Sequence, residues 1–424
     1  MARSAVATSL IRDKYATFME SWAQPYLPPT KFRLPPLELR DSYSGKLVEI
    51  RDGGVYVCGI TPYDATHLGH AATYISFDLI SRFLIASGRK VNRSQNVTDI
   101  DDPLLERATR DSVKWQELAE SQVQLYRDDM TALRVLPPDH FLSVIENMEL
   151  IISYIEKLIL TGKTYSIDGD VYLDISLVEG ALENLPLSNE EANRVFQERG
   201  GDPDRPGKRN PLDTLIWMKR RPDEPGWNSP FGEGRPGWHI ECVALALSSL
   251  DKKSDFSIEI QGGGSDLRFP HHYMTGVQAK AITGRTFSSV YVHAGMIGLD
   301  GEKMSKSRGN LVFVSDLLKN GVDSNALRIA LLKRHYSEDL MWSDEKLTDS
   351  EKFLERLKEC LSRQEVAPTD DLIKNISQAL AKDLDTVSVF SLLESWCVAT
   401  ESGEKGGNAG ELSRELDLLL GLAL

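Results

Sequence analysis

His67-Leu68-Gly69-His70 sets two imidazoles three residues apart. At the opening of a helix both rings lie on one face, beside backbone N–H groups that favour anions, which suits the stabilisation of a phosphate. Far downstream, Lys303-Met304-Ser305-Lys306-Ser307 carries two ammonium groups three residues apart, between Gly301 and Gly309-Asn310. A loop of that composition can swing onto a triphosphate and neutralise the charge that develops as pyrophosphate departs. Cys58, Cys242 and His271 form a third set, since two thiolates and an imidazole suit tetrahedral zinc. Spacing does not assign ligands so scattered. Read singly, the histidines are also polar caps, the lysines a solvated loop, and the cysteines and His271 ordinary core residues.

These groups need a frame. Val55 to Ile60 reads as a β-branched strand, a helical pattern runs from Gly69 to Ala86 and stops at Gly88, and Lys90 to Val97 alternates like a second strand. Strand, helix and strand joined by short connections predict a βαβ unit, hence a parallel sheet with a site at its carboxyl ends. Val144, Met148, Ile151, Ile152, Ile155, Leu158 and Ile159 recur at helical spacing up to Gly162. Between Gly200 and Gly237 seven prolines and seven glycines predict loop, apart from an apolar patch at Leu212 to Trp217. Long loops in compact domains are often functional. Phe256 to Ile260, running into Gly262-Gly263-Gly264, and Ser289 to Val292 read as further strands. From Leu327 onward helical stretches alternate with polar breaks such as Glu401 to Gly410.

Composition narrows the class. A chain of 424 residues, 41% hydrophobic and 26% charged, is long enough for two or three domains with a sizeable core. Its formal charge of -14 provides no global basic field for nucleic acid. The four cysteines are far apart and form no CxxC pair, which predicts a reducing cytoplasm. The first ten residues lack the long apolar stretch of a secretory signal, and no run is long and apolar enough to span a membrane. Without heptads or a long apolar edge, the expected state is a monomer.

HxGH and KMSKS in this order resemble the signature of class I aminoacyl-tRNA synthetase catalytic domains. Cys58-Gly59-Ile60-Thr61, Asn96 to Asp102, Pro236 to Cys242 and Gly262 to His272 are similar to cysteinyl-tRNA synthetases over about residues 55 to 335. Gly59 to Thr66, Glu198 to Pro203 and Gly295-Met296-Ile297-Gly298 resemble a shorter branch. That branch is the ATP-dependent cysteine:glucosaminyl-inositol ligases of mycothiol biosynthesis, and the likeness covers nearly the whole chain after about residue 45.

The resemblance implies an α/β fold, a class I synthetase Rossmann-like nucleotide-binding domain with a parallel sheet, an insertion and a helical C-terminal domain. The implied organisation is an N-terminal extension (1–54), a first catalytic half (55–135), an insertion (136–235), a second half with the KMSKS loop (236–310) and a helical stem and C-terminal domain (311–424). The implied chemistry activates L-cysteine with ATP and Mg2+ as cysteinyl adenylate, releasing pyrophosphate. The cysteinyl group then passes to the amine of glucosaminyl-inositol and AMP leaves.

By the same resemblance His67, His70, Lys303 and Lys306 act on the phosphates. Cys58, Cys242 and His271 hold one Zn2+ that takes the substrate thiolate. Asp266 pairs with the substrate ammonium, and Thr61, Thr98 and Trp238 line the amino-acid pocket. Gly59, Thr73, Asn96, Val97, Gly264, Ser265 and Ile297 lie about the adenylate, and Glu198 to Pro203 contacts the acceptor. Asp64, Asp99 and Asp102 are open candidates for the general base.

Two departures from the synthetases stand out. Thr275 occupies the place of a glutamate zinc ligand, leaving a fourth position open on a formally neutral site. Ser343 to Leu424 carries 9 Lys plus Arg against 17 Asp plus Glu, a surface that would repel a tRNA stem. The alternative, a cysteinyl-tRNA synthetase, is disfavoured on both counts.

Overall fold

A computed structural model describes residues 16–299, 301–303 and 310–424, without the side chains of Glu302 and Lys303. In the N-terminal extension β1 (Glu38–Arg40) pairs antiparallel with β2 (Leu47–Glu49). The chain then enters a five-stranded parallel sheet built from β3 (Gly53–Ile60), β4 (Val91–Val97), β5 (His140–Ser143), β10 (Phe256–Gly264) and β11 (Thr286–Ala294). Their order is β11-β10-β3-β4-β5. The chain leaves β3 outward through β4 to β5, then returns to add β10 and β11 on the other side. The order therefore reverses between β3 and β10, and a crevice opens at their carboxyl ends.

Strand alternation decides what faces that crevice. Val55 and Val57 join a core that includes the helix Leu68–Ala86, while Tyr56 and Cys58 join the opposite core with the helix Trp238–Leu250. A strand buried on both faces reads as one apolar run, and its period of two sends Cys58 toward the helix that bears Cys242. Beyond Val57 the register with β4 shifts. A Cβ on Gly59 would fall 1.5 Å from the carbonyl oxygen of Asn96, so only glycine allows this approach.

The excursion between the two halves of the sheet is an antiparallel sheet of β6 (Thr164–Ile167), β7 (Asp170–Leu173), β8 (Thr214–Lys219) and β9 (Gly234–Pro236). Of its strands, β8 falls on the apolar patch Leu212 to Trp217 set apart from the loop, while β9 lies in the Pro- and Gly-rich stretch expected to be loop. Pro236 is tolerated because β9 is an edge strand. The parallel strand β5 lies inside the span 136–235 expected as insertion, and the helix expected from Val144 begins at Met148 because Val144 to Asn147 turn out of β5.

After the second half come β12 (Ile297–Leu299), β13 (Glu302–Lys303) and β14 (Leu340–Trp342), which share a small sheet, and then helices to Leu420. A buried ion triad ties this region to the helix Leu68–Ala86. Asp78 binds Arg82 at 2.7 Å and also Arg328, while the two guanidiniums donate to the carbonyls of Asp417 and Leu420 at 2.8 and 2.6 Å. Burial works against ionisation of Asp78, but Arg82 and Arg328 outweigh it and hold its carboxyl below the usual range. Arg328 falls to about 10 through burial, with Asp78 opposing, and stays charged at neutral pH. Among the described residues no helix is long and apolar enough to cross a membrane.

Candidate active site

The crevice between β3 and β10 holds a cavity of about 350 Å3. Of the residues singled out in the sequence, Cys58, Gly59, Thr61, His67, His70, Thr73, Asn96, Thr98, Trp238, Cys242, Gly264, Asp266 and His271 line it. Val97 and Ile297 lie instead in the hydrophobic core, and Ser265 opens the short turn Ser265–Leu267 without lining the cavity.

His67 is the N-cap of its helix, its Nδ1 accepting the Gly69 N–H at 3.0 Å. An accepting Nδ1 leaves the proton of the neutral ring on Nε2. His70, one turn along, stacks on His67 with ring centroids 3.9 Å apart. Burial, reinforced by His67, keeps His70 well below the usual imidazole range and therefore neutral. Its Nδ1 is buried without a hydrogen-bond partner.

Lys306 lies outside the described residues, as does the side chain of Lys303, which closes β13. The chain that leaves the KMSKS stretch docks on the histidine motif: Val314 N–H donates to Thr66 at 3.0 Å, and Leu68 N–H to Val312 at 2.9 Å.

Cys58 is the hub of the opposite wall. Its Sγ lies 3.7 Å from Cys242 Sγ, 3.4 Å from His271 Nε2 and 3.2 Å from His272 Nε2, and it accepts from the Gln261 amide at 3.4 Å. Ligands sharing a tetrahedral zinc would stand about 3.8 Å apart for two sulfurs and about 3.6 Å for sulfur and nitrogen, given the usual bond lengths. Around Cys58 the edges to Cys242 and to His271 meet those values and the donor chemistry suits zinc, but Cys242 and His271 do not come within 4.8 Å of each other.

The side chains whose donor atoms all lie within 4.8 Å of one another are Cys58, His271 and His272. His272 is thus a neighbour that the sequence reading left out. Thr275 is fully buried with its hydroxyl unpartnered.

Further histidines back the first two. His239 Nδ1 is 3.0 Å from His271 Nδ1, and His293 Nε2 is 2.8 Å from His272 Nδ1. Burial lowers His239 to about 3, and burial, with Arg268 adding to it, lowers His293 to about 3. Trp238 stacks on His271 at 4.0 Å. Asn96 spends its carboxamide on the protein, accepting from Tyr56 and Gly59 and donating to Thr98, with Cys242 Sγ 3.8 Å from its oxygen. Gln261, His239, His272 and His293 escaped the sequence reading, although His239 and His272 adjoin residues that it marked.

The candidate bases separate. Asp64 lines the cavity and pairs with Arg107 at 3.1 Å. Asp99 does not reach it, because its carboxylate is spent on Ser143 and the Ile145 N–H, and burial lifts it to about 6. Asp102 is turned to Arg235. Two of the three expected candidates are therefore structural.

Residues 46–352 match the family described as tRNA synthetases class I (C) catalytic domain. The chain is 48% identical over 413 residues to an L-cysteine:1D-myo-inositol 2-amino-2-deoxy-alpha-D-glucopyranoside ligase of Streptomyces griseus, covering 96% of this chain and all of the relative. It is 46% identical to the ligase of the same name from Nocardia farcinica, with the same coverage. Among solved structures, Mycobacterium tuberculosis methionyl-tRNA synthetase bound by methionyl-adenylate superposes with a TM-score of 0.61 at 15% identity, over 87% of this chain and 88% of that one. That likeness concerns the fold alone. With motifs, sheet order and full-length identity in agreement, the chain belongs to the L-cysteine:1D-myo-inositol 2-amino-2-deoxy-alpha-D-glucopyranoside ligase family, within the class I synthetase fold.

Proposed function

We propose that this protein activates L-cysteine with ATP, taken with Mg2+, and transfers the cysteinyl group to the amine of glucosaminyl-inositol. The observation that carries the reading is one cavity with two chemically distinct walls. Stacked imidazoles at a helix N-terminus, that of His70 neutral, line one wall, and a sulfur–imidazole cluster around Cys58 lines the other.

The first step is a displacement at phosphorus by the cysteine carboxylate, with pyrophosphate leaving. Its catalysis is charge placement rather than covalent chemistry. His67, protonated at Nε2, and the helix N-terminus behind it would donate to the developing charge, and Lys303 and Lys306 would neutralise the departing pyrophosphate. At the opposite wall Cys58, Cys242 and His271 would hold zinc, with His272 beside them. Zinc, when bound, supplies a soft Lewis acid that prefers a thiolate to the hydroxyl of serine. Asp266 would hold the substrate ammonium, with Thr61, Thr98 and Trp238 around the side chain.

In the second step the lone pair of the acceptor amine attacks the acyl carbon and a C–N bond forms. The bond between the acyl carbon and the oxygen that bridges it to phosphorus breaks, AMP leaves with that electron pair, and the extra proton on nitrogen passes to a base. Asp64 is the cavity carboxylate left for that task.

Cysteine-dependent ATP–pyrophosphate exchange, followed by mass spectrometry of products after addition of glucosaminyl-inositol, tests the proposal. Exchange with cysteine and not serine, then a cysteinyl amide, is the expected result. Exchange that is indifferent to cysteine would remove it.

A further inference from the structure

Arg199 ends the helix Asn189–Glu198, and the residues after it form a turn that fixes its position. Gly200 has φ of +86°, a conformation that favours glycine. Gly201 lies flat on Phe196, where a Cβ would come within 2.4 Å of the ring. Asp202 accepts the Tyr172 hydroxyl at 2.5 Å and pairs at 3.1 Å with Lys208, whose side chain is almost wholly buried. Glu198 is taken by Arg194 at 2.7 Å. Of this turn, Arg199 alone among the described contacts pairs with a cavity-lining group, its Nη1 lying 3.6 Å from Asp266 Oδ2. Its side chain remains 35% exposed, so the guanidinium keeps donors for a ligand.

Resting on the ligase reading above, we propose that Arg199 is the acceptor-binding residue of the second step. It donates to hydroxyls of the amino sugar and opposes protonation of the attacking amine. With the ammonium at Asp266 and the phosphate at His67 and His70, as proposed above, the carbonyl under attack would lie within reach of Arg199, which is paired to Asp266. A guanidinium at that point offers a planar fork of donors to neighbouring hydroxyls. Its positive charge also disfavours an ammonium beside it, and only the neutral amine has a lone pair to form the C–N bond. Once cysteine's ammonium occupies Asp266, Arg199 turns to the acceptor.

The test uses the full-length, zinc-loaded enzyme as wild type, Arg199→Gln and Arg199→Lys. Cysteine-dependent pyrophosphate exchange reads the first step, and amide formation against glucosaminyl-inositol concentration at several pH values reads the second. Loss of a hydrogen bond from a charged donor should raise the acceptor KM of Arg199→Gln by about tenfold or more, while the cysteine KM moves far less. The pH midpoint of transfer should shift upward in Arg199→Gln, and Arg199→Lys should restore that midpoint more fully than the KM. An unchanged acceptor KM, or a cysteine KM that rises as much as the acceptor KM, overturns the proposal and leaves Arg199 a counterion of Asp266. A wild type that exchanges pyrophosphate but forms no amide removes the ligase reading itself, and the inference with it.

Discussion

His239 Nδ1 stands 3.0 Å from His271 Nδ1, on the side of the ring away from the nitrogen that faces Cys58. Both rings are buried and held neutral, so one Nδ1 donates and the other accepts. If His271 donates, its Nε2 lone pair is fixed toward Cys58. Groups that orient a ligating histidine this way change metal affinity by about 10–100-fold when lost. His239→Phe should therefore weaken zinc binding by that factor in a chelator competition with secondary structure retained, and unaltered affinity would show that the contact is packing alone.

Removing the metal should abolish cysteine-dependent exchange, and Zn2+ but not Mg2+ should restore it. Cys58→Ser and Cys242→Ser should each lower zinc content, measured by atomic emission on purified protein, and narrow the preference for cysteine over serine. Full zinc occupancy in Cys58→Ser would argue against Cys58 as the hub.

The two motif histidines carry separable tasks. His67 caps its helix through Nδ1, and asparagine is a good N-cap. His67→Asn should keep the melting temperature within a few degrees while slowing exchange by about 10²–10³-fold, the usual cost of one lost donor to a developing charge. His67→Ala should lose that rate and about 1 kcal/mol of stability as well. Equal melting temperatures for the two variants would mean that the cap contributes nothing.

Asp78 links the pH dependence of folding to the C-terminal helices. Because its folded pKa lies below the unfolded value near 4, its contribution is present above that value and is lost as pH falls through the folded one. Asp78→Asn should flatten the acid side of the stability profile between about pH 5 and 2 and cost about 3–5 kcal/mol at pH 7 by leaving two buried arginines short of charge. Denaturant unfolding across that range measures both.

How much of this was legible beforehand follows from distance along the chain. His67 and His70 open a helix that Gly88 ends, so local pattern sufficed to place them, whereas Cys58 was marked as a ligand only through the resemblance. His239, Gln261, His272 and His293 come from separate elements whose meeting depends on the reversal of strand order between β3 and β10, which periodicity does not encode. The strand β8 showed as the apolar patch Leu212 to Trp217, whereas β9 was hidden by prolines and glycines that an edge strand and its turns accommodate. Asp99 and Asp102 could be read equally as bases or as caps and arginine partners, and their actual partners, Ser143 and Arg235, were out of view because they are remote in sequence.

The central claim, an amine acceptor for activated cysteine, is tested most directly by following AMP release with ATP, L-cysteine and zinc-loaded enzyme, with glucosaminyl-inositol and cysteine tRNA offered in parallel. The account predicts AMP and a cysteinyl amide with the amino sugar and no charging of the tRNA. Charging of the tRNA without amide formation would contradict it.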